Sequence, residues 1–228
     1  MTSTAQPPRP RVLVVGRSPG VLEDAVDLLR AKGYRADATN VYGRVLDDYD
    51  VTRLDLLVFG GMVPPDAKQR LRDEVSRRND RVRFVQGLAG IPGMIAAQVE
   101  QAVAGRPDDA SRVTYDAQDR SFVLDLDLDA PAAVVVDAFW ATSFTPPEPT
   151  STQARVFAGE LGPGRHVVPL PDDVPDRAAF AAVTVGPHVE VLTVGATPAG
   201  VAQLVAPPSA DGRFPDVRAV TTHGGLDA

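Results

Sequence analysis

Residues Arg11 to Lys32 read RVLVVGRSPGVLEDAVDLLRAK, and the architecture of the first half follows from them. Val12 to Val15 form an uninterrupted apolar run, the pattern of a strand buried on both faces of a parallel sheet. The run stops at Gly16-Arg17-Ser18-Pro19-Gly20, a turn, and helical spacing begins at once. Ser18 suits the cap of that helix and Pro19 its first turn, where a missing N–H costs little. Leu22, Ala25, Val26 and Leu29 then recur on one face, Glu23, Asp24 and Asp27 face water, and Gly33 ends the helix. Strand, glycine turn and helix in this order open an α/β unit of the kind that holds nucleotides.

The alternation continues outward. Arg35 to Thr39, Leu56 to Phe59 and Val82 to Val85 read as further strands, with a weak helix at Gly43 to Tyr49. Gly60-Gly61 breaks the third strand, and Pro64-Pro65 starts a helix with Ala67, Leu71 and Val75 on its apolar seam. A glycine-rich loop, Gly87 to Gly93, leads into a helix at Met94 to Val103, with Ile95, Val99, Ala102 and Val103 on one side and Gly105 closing it. Strands alternating with helices imply a parallel sheet with right-handed crossovers.

Beyond Arg106-Pro107-Asp108-Asp109 the pattern changes. Val113–Tyr115, Ser121–Asp129, Ala133–Phe139, Arg155–Ala158, His166–Leu170, Ala181–Val185 and Val189–Val194 read as short strands separated by Pro, Gly and Asp. That spacing predicts an antiparallel β-sandwich. In Ser121 to Asp129, Phe122, Leu124, Leu126 and Leu128 alternate with Asp125, Asp127 and Asp129. The expected fold class is therefore α/β plus all-β: a flexible tail at 1–10, a Rossmann-like α/β domain at 11–106, a β-sandwich domain at 110–196 and an irregular tail at 197–228.

Composition narrows the function classes. With no cysteine among 228 residues, disulfides, thiolate metal sites and a cysteine nucleophile are excluded. No apolar run reaches the ~20 residues of a membrane span, and the N-terminus lacks a secretory core, so a cytoplasmic protein is expected. Residues 1–106 carry 16 Lys and Arg against 13 Asp and Glu, whereas residues 107–228 carry 7 against 17. An acidic second half argues against nucleic acid as the partner, because phosphates need clustered cations. Arg outnumbers Lys 21 to 2, a usage that points to a GC-rich bacterial genome.

Residues 11–104 resemble the short-chain dehydrogenase/reductase family in a shortened and degraded form. Gly16 and Gly20 match the family's Gly-x-x-x-Gly-x-Gly, while Leu22 replaces its last glycine. Asn40 falls at the ribose-contacting acidic position, and Asp50-Val51-Thr52 and Asp55-Leu56-Leu57-Val58 match later signatures. The catalytic residues diverge. Gly87 stands at the serine position, Glu100 and Ala104 near the Tyr-x-x-x-Lys pair, and no Tyr-x-x-x-Lys occurs in the chain. The resemblance implies a cofactor site of Gly16, Arg17, Ser18, Gly20, Asn40, Gly60 and Gly61, with NADP favoured by Arg17 and Asn40. A bacterial receiver domain has the same α/β pattern, but Phe59-Gly60-Gly61 stands where its acceptor aspartate ends the third strand, and Gly16-Arg17 replaces its acidic pair.

Each signal has a second reading. The Gly16–Gly20 turn could cradle a phosphate or be a tight turn without a ligand, and Gly60-Gly61 divides the same way. Asp125, Asp127 and Asp129 form a straight ladder, which suits a solvated face better than calcium. Asp172, Asp173 and Asp176 read as a polar turn. His166, His188 and His223 have no ligand spacing, and Gly-x-Ser-x-Gly is absent. Lys68, Arg70, Arg72, Arg77, Arg78, Arg81 and Arg83 are interleaved with acids, as on a solvated helix face or one docked against an acidic surface. Trp140, Phe139 and Phe144 read as core. The expected function is a non-catalytic binding or assembly protein, with no catalytic or metal residue, that meets a protein partner through the sandwich and the basic helix or self-associates through a helix pair. The alternative is an NAD(P)- or nucleotide-dependent enzyme with catalytic residues from the second half, taking a small-molecule ligand.

Overall fold

The apolar runs of the first half form one parallel sheet in the computed structural model, which describes residues 9–87, 90–104, 111–143, 148–195 and 216–226. Most of the expected N-terminal tail, the Arg106–Asp109 linker, Gly105, Phe144 and residues 197–215 lie outside the described residues. β1 (Arg11–Val15), β2 (Arg35–Thr39), β3 (Leu56–Phe59) and β4 (Arg83–Gln86) lie in the order β2-β1-β3-β4. Val12 stands between Ala36 of β2 and Leu56 of β3. The chain winds outward in opposite directions from β1 and β3, so the strand order reverses between them, where open sheets of this kind form a crevice.

Period-2 alternation sends successive side chains to opposite faces. Val12, Val14, Leu56 and Val58 meet α1 (Pro19–Ala31) and α4 (Pro92–Ala104). Leu13, Val15, Leu57 and Phe59 meet α3 (Pro65–Arg78) and the segment around α2 (Val45–Asp48). Extended Ser18 begins α1, and Gly33 ends it at φ +90°, a conformation that glycine adopts without a Cβ clash. The basic run on α3 is partly committed: Arg77 and Arg78 pair with Glu74, and the Arg72 guanidinium lies 5.4 and 5.3 Å from the Phe59 and Phe84 ring centres.

The second half forms two antiparallel sheets. β5 (Arg112–Asp116), β6 (Ser121–Leu126) and β9 (Gly164–Pro169) make one, in the order β5-β6-β9. β7 (Ala132–Ser143), β8 (Thr150–Leu161), β10 (Ala179–Val185) and β11 (His188–Val194) make the other, in the order β11-β10-β7-β8. Phe122, Leu124 and Leu126 share a core with Val134, Val136, Ala181 and Val183. The aspartates of that stretch face outward: Asp125 lies beside Arg165, and Asp127 and Asp129 are exposed.

The two halves share a helix. α4 sends Ile95, Ala96 and Val99 to the parallel sheet. Ile91, at its start, joins Met94 and Ala97 in packing against Phe139, Phe180, Ala182 and Val189 of the four-stranded antiparallel sheet. Its polar residues are held at the seams, where Glu100 pairs with Lys32, Gln98 donates to the Gln86 carbonyl and Gln101 to Glu190.

The C-terminal segment returns to β2. Thr221 bridges Thr39, the Asn40 amide donates to the Val220 carbonyl, and the Thr222 amide donates to that of Ala38. Asp37 is only 1% exposed, and its carboxylate anchors the segment by accepting from Arg30, Thr222 Oγ1 and the amides of Gly225 and Leu226. Gly225 must be glycine, because a Cβ would collide with the Ala36 carbonyl. Leu226 enters the core beneath α3, and the Tyr49 hydroxyl reaches the carbonyls of Ala38 and Thr222.

Three outcomes follow from these contacts. Met94→Ala opens a cavity between α4 and the antiparallel sheet and costs about 2–5 kcal/mol; calorimetry should still show one transition, because α4 belongs to both cores. Asp37→Ala strands the Gly225 and Leu226 amides, at a cost of about 3 kcal/mol. Hydrogen exchange should then accelerate at Val220, Thr222, Gly225 and Leu226 while β1 and β3 keep their protection. Burial holds the Tyr49 phenol above the ordinary 10.0, reinforced by Asp37 and Asp48, and burial with Glu100 pushes Tyr34 up to about 12. The folded state favours both protonated phenols, so their contribution is complete below pH 10 and is lost as pH rises toward 12. Urea midpoints should fall across that window, and less steeply in Tyr34→Phe.

Candidate functional site

The crevice at the carboxyl ends of β1 and β3 gathers Gly16, Gly20, Gly60 and Gly61, and it is tightly closed. The Gly60 amide donates to the Val15 carbonyl at 2.7 Å. A Cβ on Gly60 would lie 3.2 Å from the Gly16 Cα, so the two turns touch backbone to backbone. A Cβ on Gly16 would stand 2.9 Å from Leu22 Cδ2. Leu22, at the position where the resemblance expects a third glycine, is therefore packed over the first one. Gly87, at the expected serine position, donates to the Phe59 carbonyl at 2.7 Å, and a Cβ there would lie 3.1 Å from that oxygen.

The N-terminus of α1 attracts an anion through its unpaired amides and helix dipole. The chain supplies one. Glu148, just before β8, accepts the Gly20 amide on Oε2 at 2.7 Å. A Cβ on Gly20 would stand 3.1 Å from that oxygen, so glycine leaves room for the carboxylate. Pro149 follows it toward Gly90, where a Cβ would lie 3.1 Å from Pro149 Cγ. Ser18 caps the helix in sequence only: its Oγ is buried and makes no hydrogen bond to the first turn.

Asn40 is committed to the C-terminal segment. Its Nδ2 donates to the carbonyls of Arg218 at 2.7 Å and Arg17 at 3.2 Å, and its Oδ1 accepts the Val220 amide at 2.8 Å. Arg218 reaches on to Glu23 at 2.8 Å. Arg17 lies close enough to Tyr42 to oppose the upward push that burial gives that phenol.

The structure thus brings Gly16, Ser18, Gly20, Gly60 and Gly61 to one place, with Arg17 and Asn40 beside them. Glu148 escaped sequence reading, since a lone glutamate among prolines carries no local signal. So did an open cleft further along α1. This cleft of about 430 Å³ lies between α1 and the start of β8, with Asp24 and Asp27 on one wall, Thr152 and Gln153 on the other, and Ile91 and Phe139 below.

Acid–base chemistry has few candidates nearby. His166 Nε2 contacts the Gly162 carbonyl at 2.8 Å, the His188 Nδ1 is buried without a partner, and the His223 ring lies against Tyr49. Among the described residues no three His, Asp or Glu side chains come together as a metal site, and no helix is long and apolar enough to cross a membrane.

No family model and no curated protein matches the chain. The solved structure of Pseudomonas fluorescens alkylpurine DNA glycosylase AlkC, bound to DNA containing an abasic site analog, aligns over 33% of this chain at 19% identity and a TM-score of 0.19. The aligned part is 25% of that glycosylase chain, and a likeness at that score carries no argument about fold or ligand.

Proposed function

We propose that the protein is a non-catalytic binding or assembly module, in which a Rossmann-like half and a β-sandwich half are joined through α4. The observation that carries this reading is the Glu148 carboxylate on the Gly20 amide, because it fills the seat a dinucleotide phosphate would need. Asn40, the expected ribose contact, supports it by spending its amide on Arg218, Val220 and Arg17. Glu100, near the family's expected tyrosine, pairs with Lys32 instead.

A partner or a second copy would be met by the antiparallel half. β8 is an edge strand of twelve residues, none of them buried. Its outer N–H and C=O groups are suited to pairing with another strand.

Thermal shift with NADP⁺, NAD⁺, ATP and S-adenosylmethionine tests the reading. A ligand at 100 times its dissociation constant adds about 2.7 kcal/mol of stability. No shift is expected with any of the four. A clear shift with a dinucleotide, abolished by Gly20→Val, would return the enzyme alternative to first place.

A further inference from the structure

We infer that the protein self-associates by pairing β8 with β8 of a second copy, antiparallel about a two-fold axis at Ala158. The inference deepens the binding-module reading and rests on it, naming the partner and the register. β8 ends the order β11-β10-β7-β8, so among the described strands it forms a ladder on one side only. Edge strands are ordinarily guarded by being short or by carrying lysine or proline. β8 runs twelve residues, from Thr150 to Leu161, with no lysine, no proline and no buried residue. What it does carry, one bulge and two opposite charges, selects a register.

The ladder with β7 assigns each residue of β8 to a face. Gly159 lies opposite Val134, Phe157 opposite Val136 and Ala154 opposite Ala138, all three on the face of the shared core. Leu161, opposite Ala132, joins them. Arg155, Ala158 and Glu160, opposite Asp137, Val135 and Ala133, point the other way. The register shift between Val136 and Asp137 leaves Val156 without an opposite residue. Counted past that bulge, β8 is its own complement. Turned about Ala158, it sets Phe157 against Gly159, Arg155 against Glu160 and Ala154 against Leu161 of the second copy. Apolar residues then meet on the core face and opposite charges on the outer one, each pair twice by symmetry. Arg155 already pairs with Asp137, whereas Glu160 has no hydrogen bond or ion pair among the described residues. In the dimer Arg155 lies between Asp137 and Glu160 of the second copy. An axis at Arg155 or at Glu160 would set like charges opposite, which is destabilising.

The two readings fail separately: a nucleotide shift would sink the binding module, whereas the outcomes below concern β8 alone. Sedimentation velocity of the full chain over a concentration series should show the 24.1 kDa monomer giving way to a species of twice that mass. Amides within Ala154 to Leu161 should gain hydrogen-exchange protection as it does so. Arg155→Glu and Glu160→Arg each set like charges opposite and should weaken association about tenfold. Both positions are exposed, so both variants should keep the circular dichroism of the unaltered chain. Glu160→Arg also leaves the Arg155–Asp137 pair in place, and it reads association without loss of a contact within the chain. Mixed in equal amounts, the two variants should associate as tightly as the unaltered chain, because opposite charges meet again at both pairs. The inference is overturned by a monomer at every concentration, by association that neither variant weakens, or by a mixture that associates no better than its components.

Discussion

The double burial of α4 is the constraint from which the rest of the molecule follows. A helix with one apolar stripe covers one layer and leaves its other side to water. Here Ile95 and Val99 cover the parallel sheet while Met94 and Ala97 cover the antiparallel one, so a single helix belongs to two cores. Phe139 of β7 is thereby held against the start of α4, within reach of α1. The chain entering β8 then passes the N-terminus of α1, and Glu148 lands on it.

Later parts of the chain close the first half at two places. Glu148 covers the helix N-terminus above the crevice, and residues 218–226 cover β2. Both closures use a carboxylate against backbone amides, with Glu148 receiving Gly20 and Asp37 receiving Gly225 and Leu226. Such charge-assisted bonds are stronger than neutral ones. Asp37 is the more committed, since its burial would be costly without its four donors. The acidity of the second half thus has at least one local use, as the counter-charge for a helix dipole in the first.

The glycines of the first turn illustrate how a motif and its function separate. A Cβ would crowd Leu22 at Gly16, the Gly16 backbone at Gly60 and the Glu148 carboxylate at Gly20. Each of these contacts is made within the protein. The glycine pattern that elsewhere admits a pyrophosphate here admits the protein's own side chains.

The identity of the elements was legible from sequence, since it rests on local periodicity. The apolar run of Val12 to Val15, the alternation of Phe122 to Asp129, the spacing of Leu22 to Leu29 and the stop at Gly33 are each set by residues a few positions apart. A parallel sheet with helices followed by antiparallel strands is what those patterns dictate. The fate of the polar groups was not legible. Gly20 and Glu148 are 128 residues apart, and Asp37 and Leu226 189 apart. Such pairs arise only when packing brings distant segments together, so the sequence alone decided which strands and helices form. The tertiary structure decided that the first turn is filled, that Asn40 serves the C-terminal segment, and that an open cleft lies between α1 and the start of β8.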